Sequence, residues 1–215
     1  TKSIYAQMKE RNIWEEAEGY YNKYQKEWDG PDIPILIFPV MMEGLRLFRP
    51  AEKRKSGLAF IDKLFLFVSA DITEKEFEAL FVHEYHHATR LSILADRMES
   101  NLAGSIVMEG LAEYAVSEYC GIGYLAPWTT RHTAEEVRSI LQSKYMTNIE
   151  LERNDPLHDR LLFGGGGIPK MAGYEAGYRV VKDYAEYKGL KTKALFSLSA
   201  KEIIRQWKEL AIQTD

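Results

Sequence analysis

Cysteine is almost absent from this chain, and its scarcity excludes whole classes of protein. Cys120 is the sole cysteine among 215 residues, so no disulfide can form within the chain. Its surroundings, Glu118-Tyr119-Cys120-Gly121, indicate the end of an aromatic helix and favour a buried structural thiol over a nucleophile. Such cysteine usage is compatible with a reducing compartment. We therefore exclude a disulfide scaffold and disfavour a cysteine protease.

Long apolar runs and an excess of positive charge are missing as well. No stretch approaches the roughly 18 apolar residues that a membrane-crossing helix needs. The formal net charge of −4 and a pI of about 5.8 argue against nucleic acid as the main partner. A chain of this length can bury about 70% of its unfolded surface, which suits a single domain over residues 1–215. We expect a cytoplasmic location, and the start at Thr1 leaves an earlier export segment open.

One short segment of the sequence indicates a specific chemical function, which the composition alone does not. His83-Glu84-Tyr85-His86-His87 spells H-E-x-x-H, the pattern with which zinc hydrolases present a metal and a base. At about 100° per residue along a helix, His87 lies roughly 40° from His83, and Glu84 lies roughly 100° from it. All three side chains therefore share one side of a helix. We predict that His83 and His87 bind Zn²⁺ and that Glu84 is the general base.

The residues before the motif predict the strand and the helix start that the motif requires. Residues 61–68 are rich in β-branched and aromatic side chains and short enough for a buried strand. Thr73, followed three residues later by Glu76, predicts a capping box at the start of the motif helix. Strand, cap and motif helix thus follow one another in order.

A hydrolytic zinc site usually takes three protein ligands and keeps one position for water, so a third ligand is needed. The metzincin pattern would place glycine at position 90 and histidine at position 93, but the chain has Arg90 and Ile93. Asp96 is a nearby carboxylate with no supporting pattern around it. A pair formed by His83 and His86 is a further alternative for the histidine ligands.

Two glutamates on a later helix fit the role better. Glu109 lies 22 residues after His87, and Glu113 follows four residues later on the same helical face. Two unpaired carboxylates so placed would repel each other, whereas a divalent cation and a histidine N–H would use both. We assign Glu109 to zinc and Glu113 to a hydrogen bond with the distal ring nitrogen of a ligand histidine, with His83 as the expected partner. An ordinary solvated helix face is the alternative.

These motifs together resemble a known group of enzymes. H-E-x-x-H, followed about twenty residues later by a glutamate in an E-x-x-x-E or E-x-x-x-D helix, is the gluzincin pattern. The combination of H-E-Y-H-H, E-G-L-A-E and a glycine-tyrosine segment near the C-terminus is similar to the YjaZ-like family of predicted zinc-dependent proteases from bacilli. The resemblance spans most of the chain. It implies a zincin-like fold, in which the sheet lies above the motif helix and an edge strand pairs with extended peptide substrate.

The same resemblance supplies a candidate for oxyanion stabilisation. Tyr174-Glu175-Ala176-Gly177 resembles the Tyr-Glu-Lys-Gly of aminopeptidase N-like enzymes, whose tyrosine hydroxyl supports the developing oxyanion. By this resemblance Tyr174 is the candidate donor, although Ala176 stands where that family has lysine. Tyrosines of this region also repeat at helical spacing, so simple packing is the alternative. Tyr178 and His158 are the next candidates for the role.

The remaining pattern predicts an α+β fold. Strands and helices are segregated along the chain, with a mostly helical lobe after the motif. The gluzincin resemblance implies that the small sheet, of antiparallel type, lies over the motif helix. The predicted elements ahead of the motif are a helix over residues 3–28 and a strand at 33–38. Residues 57–60, together with the apolar run at 61–68, are expected to form a hairpin or two strands. We divide the domain into lobes of about residues 1–100 and about 101–215. His86 is expected to hydrogen-bond or face solvent. His132 and His158 are expected in exposed loops, with a position lining a cleft as the alternative for either.

The sequence therefore predicts a zinc metallopeptidase acting on a peptide or protein substrate. We favour an endopeptidase, because no acidic group for a substrate amino terminus is recognisable. Two other classes remain: a zinc-bearing protein whose site is structural or regulatory, and a metal-free helical interaction module with a fortuitous motif. Metal content separates the last class from the others, and hydrolysis separates the first two. The sequence carries no signal for an oligomeric state.

Overall fold

The computed structural model describes residues 2–40 and 54–213, with side chains over 4–40 and 54–210. Its internal contacts divide the chain into two compact units, Thr1–Ile93 with Ala115–Tyr124, and Leu94–Tyr114 with Leu125–Asp215. The first unit contains the sheet and the motif helix, and the second unit is helical in its described part. The chain is therefore α+β, as predicted.

The N-terminal region forms two helices where the sequence predicts one. Helix α1 spans Lys2–Glu10 and helix α2 spans Ile13–Trp28. The break includes Asn12, whose φ of 57° lies in the left-handed region that asparagine tolerates better than most residues. The inner face of α2 is apolar at helical spacing and buries Ile13, Ala17, Tyr20, Tyr24 and Trp28. The amphipathic stripe was thus predictable, and its interruption was not.

The described residues form a three-stranded sheet in which the most apolar strand is central. The strands are β1 (Ile35–Pro39), β2 (Lys55–Ala59) and β3 (Leu64–Val68), in the spatial order β1-β3-β2. β2 pairs with β3 in the antiparallel sense, but β1 pairs with β3 in the parallel sense. The sheet is therefore mixed, and the expected antiparallel type holds for one pair only. Side-chain periodicity shows which face of a strand is buried but not the direction in which the strand runs.

Helix α3, Glu74–Leu94, carries the motif and begins as the sequence predicts. The Thr73 amide donates a hydrogen bond to Glu76 Oε2 at 2.9 Å, and the Glu76 amide donates one to Thr73 Oγ1 at 3.3 Å. These reciprocal bonds are the predicted capping box, and they satisfy backbone donors that the first helical turn leaves open. The start of the motif helix is thus fixed two and a half turns before its first histidine.

Aromatic rings and one buried carboxylate join α2 to α3. The rings of Trp28 and Tyr85 stack with centroids 6.0 Å apart. Glu78 on α3 has a side chain only 7% exposed, and it accepts hydrogen bonds from the Tyr24 hydroxyl at 2.8 Å, Lys23 Nζ at 2.7 Å and Lys75 Nζ at 2.6 Å. Burial alone would raise the pKa of Glu78, but these three donors outweigh it and lower the pKa to about 2.

The second unit is built from helices around one apolar core. Their bounds are α4 Leu102–Tyr119, α5 Ala134–Ile140, α6 Pro156–Phe163, α7 Ala172–Lys188, α8 Thr192–Leu195 and α9 Ala200–Gln213. The last residues of α4 belong to the first unit. Helices α5 and α9 both begin at capped residues, because Thr133 and Glu136 form a capping box and Ser199 Oγ accepts a bond from the Glu202 amide.

Two glycines let α4 and α7 approach at backbone distance. A Cβ atom added at Gly110 of α4 would collide with the carbonyl of Gly177 in α7. A Cβ atom added at Gly177 would in turn collide with the carbonyl of Ile106 in α4. Only glycine fits at either position without moving a backbone. Glu109 directly precedes Gly110 in α4 and therefore lies next to this contact between the two helices.

No helix among the described residues is both long enough and apolar enough to cross a bilayer.

Candidate functional site

The two histidines of the motif present their ring nitrogens to each other. His83 and His87 occupy successive turns of α3, and their Nε2 atoms lie 3.1 Å apart. The rings are perpendicular, with centroids 4.7 Å apart. Two imidazoles bound to one tetrahedral zinc ion, at about 2.0–2.1 Å each, would hold these nitrogens about 3.3 Å apart. The pair is therefore arranged as two ligands of one ion would be.

Glu109 completes a set of donors of the kind zinc prefers. One ligand atom from each of His83, His87 and Glu109 lie within 4.8 Å of one another, and the group could hold a metal ion. Two imidazole nitrogens and one carboxylate oxygen are the ligand set of many hydrolytic zinc sites. The residues thus fit the metal that the sequence motif implies.

Glu84 lies between the motif helix and the sheet. Its side chain is nearly buried, with 8% of its surface exposed. The carboxylate lies directly over Gly57 of β2, where a Cβ atom would come within 2.6 Å of Glu84 Oε1. Gly57 was not predicted to matter, because the contact joins residues 27 positions apart and leaves no periodic signal in the sequence.

Glu113 holds a loop of the second unit. Its side chain is 3% exposed, and its Oε2 atom accepts hydrogen bonds from the Ala126 amide at 3.0 Å and the Thr129 hydroxyl at 3.3 Å. These bonds give Glu113 a role that the sequence did not suggest. Its predicted bond to His83 stays a prediction.

Tyr174 lies in the first turn of α7, among aromatic side chains. Its ring packs edge-on against Trp128, with centroids 6.0 Å apart, and in a tilted arrangement against Phe163, with centroids 6.1 Å apart. Tyr174 is partly exposed, whereas Tyr178 is 5% exposed. Tyr174 is therefore the more accessible of the two tyrosines, although its role as an oxyanion donor stays a prediction.

The expectation of exposed loop histidines was wrong for His158. This residue lies on α6 and is 1% exposed. Its Nε2 atom is 3.0 Å from Ser105 Oγ, and its Nδ1 atom is 3.0 Å from Asp159 Oδ1. Both ring nitrogens are thus engaged inside the second unit, which leaves His158 poorly suited to contact substrate. The aspartate that follows it in sequence suggested a polar loop, but Pro156 and the Asp155 cap begin a helix there.

The other two histidines are also more constrained than expected. His86 is completely buried in the first unit, where its ring meets the Trp28 ring edge-on with centroids 6.0 Å apart. His132 is partly buried, and Glu175 binds it twice: the carboxylate accepts from the His132 amide and pairs with Nδ1, each at 2.7 Å. Glu175 itself is 5% exposed. The segment from Ala126 to His132 is therefore tied at both ends by buried carboxylates, Glu113 and Glu175.

Comparison with known proteins adds to this geometry. Residues 13–205 match the family described as "Predicted Zn-dependent protease (DUF2268)". The chain belongs to this family. The match covers both motif helices and the Tyr174 segment, so the resemblance noted from the motifs is confirmed.

Two proteins of Bacillus subtilis (strain 168) are similar to the chain in sequence. The chain is 42% identical to "Uncharacterized protein YjaZ" over 175 residues, which are 78% of this chain and 67% of YjaZ. It is 29% identical to "Uncharacterized protein YjfC" over 137 residues, which are 60% of this chain and 46% of YjfC. No solved structure matches the chain.

Zinc as the cofactor is confirmed on two grounds. The description of the family names zinc, and the group of His83, His87 and Glu109 could hold a metal ion. The metal-free interaction module is thereby set aside. Membership of the family places the chain among predicted zinc-dependent proteases.

Proposed function

We propose that this protein is a zinc peptidase of the gluzincin type that hydrolyses peptide bonds in peptide or protein substrates. The observation that carries the proposal is the close grouping of His83, His87 and Glu109, with the Glu84 carboxylate one residue from a ligand. This combination provides a group of ligands that could hold a metal ion and a nearly buried carboxylate that could act as a base. A purely structural zinc site would use four protein ligands and no adjacent base.

The catalytic roles follow from what each side chain can do. Bound zinc supplies Lewis acidity, which polarises a carbonyl group and lowers the pKa of water to about 7. Glu84 takes the proton from the attacking water and later delivers a proton to the leaving amine. Tyr174 donates a hydrogen bond to the carbonyl oxygen as negative charge develops on it. No covalent intermediate with the chain is needed.

Glu113 and the sheet have supporting roles in this proposal. Glu113 orients a ligand histidine, with His83 as the partner, through a hydrogen bond to its distal ring nitrogen. Among the described residues β2 pairs with β3 alone, so its other edge is a candidate to bind extended substrate by main-chain hydrogen bonds. The position of β2 beside Glu84, through Gly57, supports a zincin arrangement of sheet and motif helix.

We also propose endopeptidase action in a single catalytic domain over residues 1–215. The support for endopeptidase action is that the sequence offers no recognisable acidic group for a substrate amino terminus. A cytoplasmic location remains part of the proposal, supported by a lone cysteine that can form no internal disulfide.

The test compares the wild-type protein with Glu84→Gln. Glutamine keeps the size of the side chain but cannot act as the base, so the variant should retain about one zinc per chain and lose hydrolysis of a fluorogenic peptide library. Glu18→Gln, at an exposed position of α2, is the matched control and should cleave like wild type. Equal cleavage by Glu84→Gln and wild type would refute the proposed base. Full zinc occupancy without hydrolysis in any of the proteins would favour the non-proteolytic zinc protein.

A further inference from the structure

The inward side of strand β2 is fixed to the motif helix at one end. Lys55, Gly57 and Ala59 alternate with exposed residues along β2, so they share the face that meets α3. Lys55 Nζ donates to the Glu76 carbonyl at 3.0 Å, and the neighbouring Arg54 pairs with Glu76 Oε1 at 2.6 Å. The start of β2 is thus anchored to the first turn of α3.

Pairing with the central strand β3 also holds β2 in place at Gly57. This residue pairs with Leu66 of the central strand β3, and Leu66 is completely buried. Strand β2 can therefore not retreat from α3 without breaking its pairing with β3 and its bonds to Glu76. Any group added at position 57 must be accommodated on the α3 side.

On that side the first atoms to be met belong to Glu84. A Cβ atom at Gly57 would lie 2.6 Å from Glu84 Oε1 and closer still to the Cγ and Cδ atoms. These atoms are the end of a flexible side chain, whereas the strand is held on two sides. A methyl group at position 57 would therefore displace the carboxylate rather than the backbone.

We propose that Gly57 is a positioning residue for Glu84: the missing side chain on β2 leaves the space in which the carboxylate is held at its working position. The proposal rests on the proposed function, because it concerns the side chain that acts there as the base. A general base must lie within hydrogen-bond reach of the proton that it takes, about 2.6–3.2 Å between heavy atoms. A displacement of about 1 Å can cost about 10²-fold in rate.

The first test measures the contact without reference to hydrolysis. Thermal unfolding of the zinc-free protein in EDTA is compared for wild type, Gly57→Ala, Glu84→Ala and the double variant. Gly57→Ala should lower Tm by about 2–4 °C in the wild-type background, and by much less once the Glu84 side chain is removed. If Gly57→Ala alone does not fold but the double variant does, that result would also show that the two positions are coupled, and it would support the proposal. Equal losses in both backgrounds, or failure of both to fold, would overturn the proposal.

The second test measures the consequence for the reaction. Zinc-loaded Gly57→Ala should retain its metal and bind a peptide substrate with KM within about threefold of wild type, while kcat falls by about 10²-fold. In a Glu84→Asp background, whose carboxylate ends one methylene earlier, Gly57→Ala should cause a much smaller further loss. Unchanged kcat, or a loss confined to KM, would overturn the positioning role.

A matched glycine provides the control. Gly19 on α2 is exposed, and a Cβ atom there would meet nothing within 4 Å. Gly19→Ala should show no coupling to Glu84→Ala and no loss of kcat. If wild type itself hydrolyses nothing, the proposed function fails, but the thermal cycle still decides whether Gly57 holds the Glu84 side chain.

Discussion

Removal of the Glu78 charge should weaken the attachment of α2 to the motif helix. The Glu78 side chain is only 7% exposed, and its carboxylate accepts hydrogen bonds from Lys23, Lys75 and Tyr24. Glu78→Gln keeps the shape of the side chain but removes its negative charge. We therefore expect the variant to fold, to retain the motif helix and to be less stable than wild type near neutral pH.

The size of the effect follows from the pKa. Burial alone would raise the pKa of Glu78, but its three donors lower it from the ordinary value of 4.5 to about 2. A shift of this size corresponds to about 3 kcal/mol of stability at neutral pH. The two ammonium groups are half exposed and screened by solvent, so we expect a loss of about 1–3 kcal/mol. Because the folded-state pKa is the lower one, this stabilisation is complete above pH 4.5 and is lost as the pH falls toward 2.

Urea unfolding of the zinc-free protein at a series of pH values between 2 and 7 would measure this contribution. Wild type should lose stability relative to Glu78→Gln as the pH falls below 4.5, and the two free energies of unfolding should converge near pH 2. Glu18→Gln, at an exposed carboxylate of α2, should follow wild type throughout. A difference between wild type and Glu78→Gln that is small at neutral pH, or that does not depend on pH, would refute the electrostatic reasoning.

Two further predictions concern the site itself. Glu109→Gln should weaken zinc binding by at least about 10²-fold, measured by competition with a chromogenic chelator, because it replaces a charged ligand with a neutral one. Unchanged affinity would exclude Glu109 as a ligand. Tyr174→Phe should lower kcat by about 10–10³-fold at full zinc occupancy. Tyr187→Phe, at an exposed tyrosine of the same helix, should leave kcat unchanged, and an equally unaffected Tyr174→Phe would remove the oxyanion role.

Local signals made much of the fold predictable from sequence. The capping box of Thr73 and Glu76 was predictable because its two residues interact within one helical turn. The buried strand ending at Val68 was predictable because apolar side chains crowd a short segment. The H-E-x-x-H spacing brings His83 and His87 together on any regular helix, and the structure places their Nε2 atoms 3.1 Å apart. Each of these features depends on neighbours in the chain.

Features that depend on distant residues escaped prediction for the same reason. Three such contacts join residues far apart in sequence: the packing of Glu84 against Gly57, the pairing of Glu175 with His132 and the hydrogen bond between His158 and Ser105. A single glycine or glutamate forms no periodic pattern in the sequence, so its distant contact partner cannot be predicted from it. Strand direction escaped as well, because an apolar pattern reads the same along parallel and antiparallel strands.

The backbone contact between Gly110 and Gly177 has a mechanical consequence. With no side chain between them, α4 and α7 meet backbone to backbone, so a movement of either helix toward the other at this point would bring a carbonyl into collision. Glu109 and Tyr174 therefore lie on two helices in direct backbone contact. A substitution that pushes one of these helices toward the other will displace both side chains.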